Sequence, residues 1–239
     1  MAMCWAVLKM AEHPEVQAKV QQELDALVEG EAPTQEELPR LDYLGAVLLE
    51  TGRLWPAASA LLRCSIDTDL KVGGYKVPAG ASIVVPIQAI HRSTEAWGDD
   101  AREFRPDRWK RTSQSLSGLP GVVSKTKTVE TELAKSSQAE SAVEHDEGEE
   151  AGRKLVDLTY AASLPLVGDE KSRPIFTFGG GPRSCVGRLF SLTEQKIMLA
   201  TLLKRYRVEL VPGQGPFSQS IRGFVARPTP SPEIILVKR

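Results

Sequence analysis

The ten residues Phe178-Gly179-Gly180-Gly181-Pro182-Arg183-Ser184-Cys185-Val186-Gly187 hold the densest chemistry in the chain. A phosphate cradle would use backbone N–H groups at a helix N-terminus, but the Gly-Lys-Ser/Thr ending is missing and the glycine spacing is not that of a dinucleotide site, so this use is set aside. A nucleophilic cysteine would need a histidine, and this half of the chain holds only His145, although a distant one could fold close. A buried cysteine at a glycine turn is the plain alternative for Cys185 standing alone. Its neighbours point elsewhere. At the start of a helix a thiolate is favoured by the dipole and by free N–H groups, and flanking glycines let a flat ligand come close to the backbone. Arg183 offers a permanent cation for a ligand carboxylate, and Phe178 offers an apolar ring to cover the sulfur. Thiolate, cation and ring together describe a haem-thiolate site.

The loop needs elements to hold it. An apolar strand, Ile175-Phe176-Thr177-Phe178, is expected before it, and a helix over about 186–205, carrying Phe190, Ile197, Met198 and Leu202, after it. Upstream, residues 1–11 read as the last turns of a helix without an N-cap. Pro14 opens a second helix to about 29, with Val16, Val20, Leu24, Leu27 and Val28 on one face. A third runs over about 41–55, is ended by Pro56, and contains Glu50 and Arg53. Short strands follow at 67–72, 75–77 and 82–85, with turns at Gly73-Gly74 and Pro78-Ala79-Gly80. Three more are expected at 207–211, 221–226 and 233–237. The fold class is mainly α with small β-sheets.

Composition narrows the function. The 239 residues are 41% apolar and 26% charged, enough for a core. Lys plus Arg number 30 against 31 Asp plus Glu, which gives no general attraction to nucleic acid. Cys4, Cys64 and Cys185 form no CxxC, and His13, His91 and His145 no HExxH, so zinc or a disulfide framework is poorly supported. Residues 112–152 hold three lysines, eight acidic residues and no aromatic ring, and read as a disordered insertion.

The chain resembles the cytochrome P-450 family. Its cysteine-loop pattern F-x-x-G-x-R-x-C-x-G is met by Phe178, Gly181, Arg183, Cys185 and Gly187. The E-x-x-R motif is met by Glu50 and Arg53, whose spacing puts both charges on one helix face, and the F-x-P-x-R-W meander by Phe104 to Trp109. The resemblance implies that Cys185 is the axial metal ligand of haem b (iron protoporphyrin IX). It further implies that Arg63 meets a haem propionate and that Glu50, Arg53 and Arg108 form a buried structural network. His91-Arg92 and Trp97 resemble the segment before the meander and read as structural.

The implied activity is that of a haem-thiolate monooxygenase, an oxidoreductase inserting one oxygen atom from O2 into a small organic substrate, with a NADPH-dependent reductase or a ferredoxin as electron donor. Relatives sit in the endoplasmic reticulum membrane or a plastid. The expected architecture is the C-terminal part of the family's fold, with the distal helix, its acidic-Thr motif and the N-terminal half absent, so residues 1–239 alone are expected not to turn over substrate. Two other readings stay open: a non-catalytic haem-binding fragment, and an oxygen-independent isomerase or dehydratase.

Overall fold

The computed structural model of the chain describes residues 2–65, 67–109, 156–157, 175–180, 183–222 and 225–239. The expected insertion at 112–152 and Gly181 of the cysteine loop lie outside the described residues.

Three consecutive helices open the chain: α1, Ala2–Glu12; α2, Pro14–Leu27; and α3, Asp42–Leu54. Pro14 stands at the first position of α2, where its missing N–H is no loss. Val16, Val20 and Leu24 recur every fourth residue and so share one face of that helix. This face meets Ala6 and Met10 of α1, Leu44, Val47 and Leu48 of α3, and Leu199, Ala200 and Leu203 of α6, Arg188–Arg205. Each fully buried Leu or Val in such a core contributes about 1.5–3 kcal/mol. No residue of α3 caps its own start. Instead the Glu23 carboxylate, from α2, accepts the N–H groups of Tyr43 and Leu44 at 2.6 and 2.9 Å.

Helix α3 is buried on almost every side, because its other face covers a second apolar cluster of Ala46, Trp97, Ala101 and Trp109. Trp97 ends the short helix α5, Thr94–Trp97, which follows α4, Ile87–His91; Trp109 ends a 3-10 turn, Pro106–Trp109. A polar residue of α3 facing this cluster is therefore removed from water, and Glu50 and Arg53 both face it.

The sheets are small. Strand β1, Leu61–Cys64, pairs antiparallel with β4, Ser82–Val85, Arg63 lying opposite Ile83. Between them β2, Leu70–Val72, and β3, Tyr75–Val77, form a hairpin whose turn uses positive φ at Gly73 and Gly74. Strand β2 also pairs in parallel with β5, Val156–Asp157. At the end of the chain β6, Tyr206–Leu210, pairs with β9, Ile234–Lys238, and β7, Ser218–Arg222, with β8, Val225–Thr229.

Three expectations need correction. The stretch read as one strand over 221–226 is the end of a hairpin, with Arg222 opposite Val225. The strand expected over 67–72 is shorter, because Asp69 uses its carboxylate to accept the Ala79 N–H at 2.8 Å and to pair with Lys76. Residues 175–178 are not a strand. They form a turn in which the Gly179 N–H donates to the Phe176 carbonyl at 2.9 Å. Its cause lies in the site.

Candidate haem-thiolate site

Glu50 and Arg53 stand one turn apart on α3 and are both fully buried. The guanidinium donates from Nε to Glu50 Oε2 and from Nη2 to Glu50 Oε1, both at 2.8 Å. Its remaining N–H groups reach the carbonyls of His91 at 2.7 Å, Ala101 at 2.6 Å and Glu103 at 3.1 Å. All donors of a rigid fork are thus satisfied, which a buried arginine requires. The carboxylate is equally occupied. Arg108 Nε and the Arg105 backbone N–H donate to Oε1, and Trp109 Nε1 donates to Oε2, each at 2.9 Å. The structure therefore brings Glu50, Arg53 and Arg108 together, and it adds Trp109 and Asp100, the latter accepting Arg108 Nη1 at 3.3 Å. Although partial burial pushes the Asp100 carboxyl up, the hydrogen bond and charge of Arg108 and the charge of Arg105 hold it below its usual range.

The Glu50 network is tied to the cysteine loop by two contacts that sequence spacing could not reveal. His91 is fully buried, with Nδ1 3.0 Å from the Arg53 carbonyl and Nε2 accepting the Phe176 N–H at 2.8 Å. A carbonyl facing Nδ1 demands a donor and an N–H facing Nε2 demands an acceptor, so the ring is neutral and protonated on Nδ1. Burial pushes its pKa from 6.5 down to about 4, and the charges of Arg53 and Arg92 act in the same direction. In the second contact the Thr177 hydroxyl donates to the Gly52 carbonyl at 3.1 Å. A Cβ on Gly52 would come 3.1 Å from Thr177 Cγ2, so the close approach of loop and helix depends on glycine there. With the Phe176 N–H taken by a side chain, this stretch has no ladder to join, which is why it is a turn rather than a strand.

Beyond the turn, the Cys185 N–H donates to the Phe178 carbonyl at 2.8 Å. Helix α6, expected to begin at about 186 directly after Cys185, begins two residues further on. Its first residue is Arg188, with Gly187 before it, and the Cys185 carbonyl accepts the Arg188 N–H at 3.2 Å. The thiol lies beside the residue that precedes the helix, since a Cβ on Gly187 would be 3.8 Å from the Cys185 sulfur. Cys185 and Arg183 are exposed, and so are the apolar side chains of Val186, Leu189 and Phe190. Phe178 is half-buried and lines a crevice with Leu48, Leu49, Trp109, Ile175 and Leu192.

Arg63 reaches this loop from β1. Its Nη2 is 3.9 Å from where a Cβ on Gly179 would stand, and its Nη1 donates to the Leu62 carbonyl at 2.9 Å. Gly179 itself has φ +73°, a conformation that glycine adopts without penalty. An exposed cysteine, exposed apolar side chains just C-terminal to it and two guanidiniums at the loop suit a flat apolar macrocycle with a soft metal and carboxylate edges. These residues fit haem. Among the described residues no group of three or more His, Cys, Asp or Glu could hold a metal ion by itself, and no helix is long and apolar enough to cross a membrane.

The comparisons with known proteins agree with this chemistry. A family model described as Cytochrome P450 matches residues 1–125 and 165–236. The chain is 32% identical over 211 residues to Cytochrome P450 734A5 of Oryza sativa subsp. japonica, covering 88% of this chain and 30% of that protein. It is 26% identical to Protein LUTEIN DEFICIENT 5, chloroplastic, of Arabidopsis thaliana, covering 99% and 31%. To Cyclooctat-9-en-7-ol 5-monooxygenase of Streptomyces melanosporofaciens it is 29% identical, covering 84% and 32%. The chain thus spans about a third of the length of these relatives.

Proposed function

Because the chain belongs to the cytochrome P450 family, we propose that its protein is a haem-thiolate monooxygenase that holds haem b through Cys185. The chemistry such a haem supplies when bound is reduction of dioxygen with transfer of one oxygen atom to an organic substrate. Cys185 is the residue that would hold the haem iron, as a thiolate. The Phe178 carbonyl holds the cysteine's N–H and so limits how the sulfur can tilt. Arg63 and Arg183 would pair with the propionates, and Gly187 puts no side chain between the sulfur and the helix, where a Cβ would stand 3.8 Å from it. Glu50, Arg53 and Arg108 do not touch the haem; they keep α3, the meander and the loop in one arrangement. Electrons come from a NADPH-dependent reductase or a ferredoxin, and the substrate is a small organic molecule.

The observation that carries this reading is the exposed Cys185 on a loop that a fully satisfied buried ion network positions beside Arg63. The test is the carbon monoxide difference spectrum of the reduced, haem-loaded protein. The unsubstituted protein should give the red-shifted Soret band of thiolate ligation, and Cys185→Ala should lose it. Cys4→Ala and Cys64→Ala should keep it. Persistence of the band in Cys185→Ala would reject Cys185 as the ligand.

A further inference from the structure

We infer that His91 is a positioning residue for the thiolate: its Nε2, by accepting the Phe176 N–H, sets the turn from which Cys185 hangs. The inference rests on the haem-thiolate reading above. Hydrogen bonds, joined by short stretches of backbone, lead from one residue to the other. Nδ1–H of His91 donates to the Arg53 carbonyl at 3.0 Å, and Nε2 takes the Phe176 N–H at 2.8 Å. The Phe176 carbonyl takes the Gly179 N–H at 2.9 Å, and the Phe178 carbonyl takes the Cys185 N–H at 2.8 Å. At one end stands Arg53, which cannot move because every N–H of its guanidinium is engaged in a buried site. At the other stands the sulfur-bearing residue, exposed and with little apolar burial of its own to fix it. Position therefore passes to Cys185 from α3 through His91, beside the contact of the Thr177 hydroxyl with the Gly52 carbonyl. The turn depends on this contact more than on its own backbone, since it has no strand partner.

This role differs from ordinary core filling. A histidine that only filled space would be replaceable by any side chain of similar size. A positioning histidine needs an acceptor at the Nε2 place in particular. Glutamine can put Oε1 near that place, whereas the shorter asparagine puts its amide near Nδ1 and leaves the Phe176 N–H without a partner. Metal-site geometry is sensitive to such outer contacts, which orient the ligand without touching the metal.

The test uses the haem-loaded protein with His91→Gln and His91→Asn, read by the carbon monoxide difference spectrum at equal haem content. The expected result is a red-shifted thiolate band kept in His91→Gln and at least halved in His91→Asn. Amide hydrogen exchange is the second readout. Phe176 and Cys185 should exchange about 100-fold faster in His91→Asn than in His91→Gln, while amides of α2 should not differ. Equal spectra and equal exchange in the two variants overturn the inference and leave the Cys185 assignment standing. A missing thiolate band in the unsubstituted protein overturns both. Should His91→Asn fail to fold, exchange in the unsubstituted protein decides: protection of Phe176 as strong as that of α3 supports the role, and exchange at the rate of a free peptide overturns it.

Discussion

Arg53 and His91 hold each other reciprocally. The Arg53 guanidinium donates to the His91 carbonyl at 2.7 Å, and the His91 ring donates to the Arg53 carbonyl at 3.0 Å. Each residue therefore fixes the other's main chain with its own side chain, and α3 and α4 cannot slide apart without breaking two buried bonds. The cation also lies 4.7 Å from the centre of the Trp97 ring, an arrangement that adds cation–π attraction in a dry site.

Arg53→Ala removes every donor of the fork, so the carbonyls of His91, Ala101 and Glu103 lose their partner and the Glu50 carboxylate stays buried with fewer donors. The loss should be about 3–5 kcal/mol, as for other broken buried pairs. Arg53→Lys should recover less than half, because an ammonium cannot reproduce a planar fork. Urea unfolding followed by tryptophan fluorescence measures both. A loss below about 1 kcal/mol for Arg53→Ala would contradict a structural role for the network.

Gly52→Ala should destabilise the protein even though alanine is the better helix former by about 1 kcal/mol. The added Cβ meets Thr177 Cγ2 at 3.1 Å, so the loop must shift and the Thr177–Gly52 hydrogen bond must lengthen. Adding Thr177→Ser removes that methyl and keeps the hydroxyl, so the double variant should unfold at a higher temperature than Gly52→Ala alone. Strict additivity of the two substitutions would show that the contact has no part in the effect.

Acid should weaken the fold through His91. Its folded pKa, about 4, lies below the unfolded value of 6.5, so between these values the unfolded chain binds a proton that the folded chain refuses. The contribution of the neutral ring is complete above about pH 6.5 and declines as pH falls towards about 4. His91→Gln cannot titrate and should flatten this part of the stability profile. Unfolding free energy measured at intervals from neutral to acid pH checks it; identical slopes in the two proteins would assign the acid sensitivity to other groups.

Gly179→Ala should cost about 1–2 kcal/mol, the penalty of placing a Cβ at positive φ. The new methyl would also stand in van der Waals contact with Leu61 Cδ1 at 3.6 Å and Arg63 Nη2 at 3.9 Å, taking up the open space beside the guanidinium. Thermal unfolding reads the first effect. Haem affinity reads the second, and it should fall more in Gly179→Ala than in Gly180→Ala, whose backbone has ordinary φ.

Sequence alone determined the helices and the motif chemistry. Apolar residues at every third or fourth position marked α2 and α3 to within two residues of their ends, since that periodicity is a local property of the chain. Glu50 and Arg53 were legible for the same reason: three residues apart on a helix, they must share a face. Cys185 and its glycines were legible because their types and spacing carry a chemical requirement. Tertiary structure decided what those residues rest on. Nothing near His91 in sequence announces that its ring takes the N–H of Phe176, 85 residues away, or that Trp109 donates to Glu50, 59 residues away. The apolar pattern of 175–178 is strand-like, whereas the partner of the Phe176 N–H is a side chain from α4, and the stretch is a turn. At the start of α6 the periodic pattern reaches to about 186, whereas the residues ahead of Arg188 belong to the loop, which the bond from the Cys185 N–H to the Phe178 carbonyl closes. Periodicity reports which face of an element is apolar. The partner of a buried polar group is chosen by which segments the core brings together, and only the folded chain contains that information.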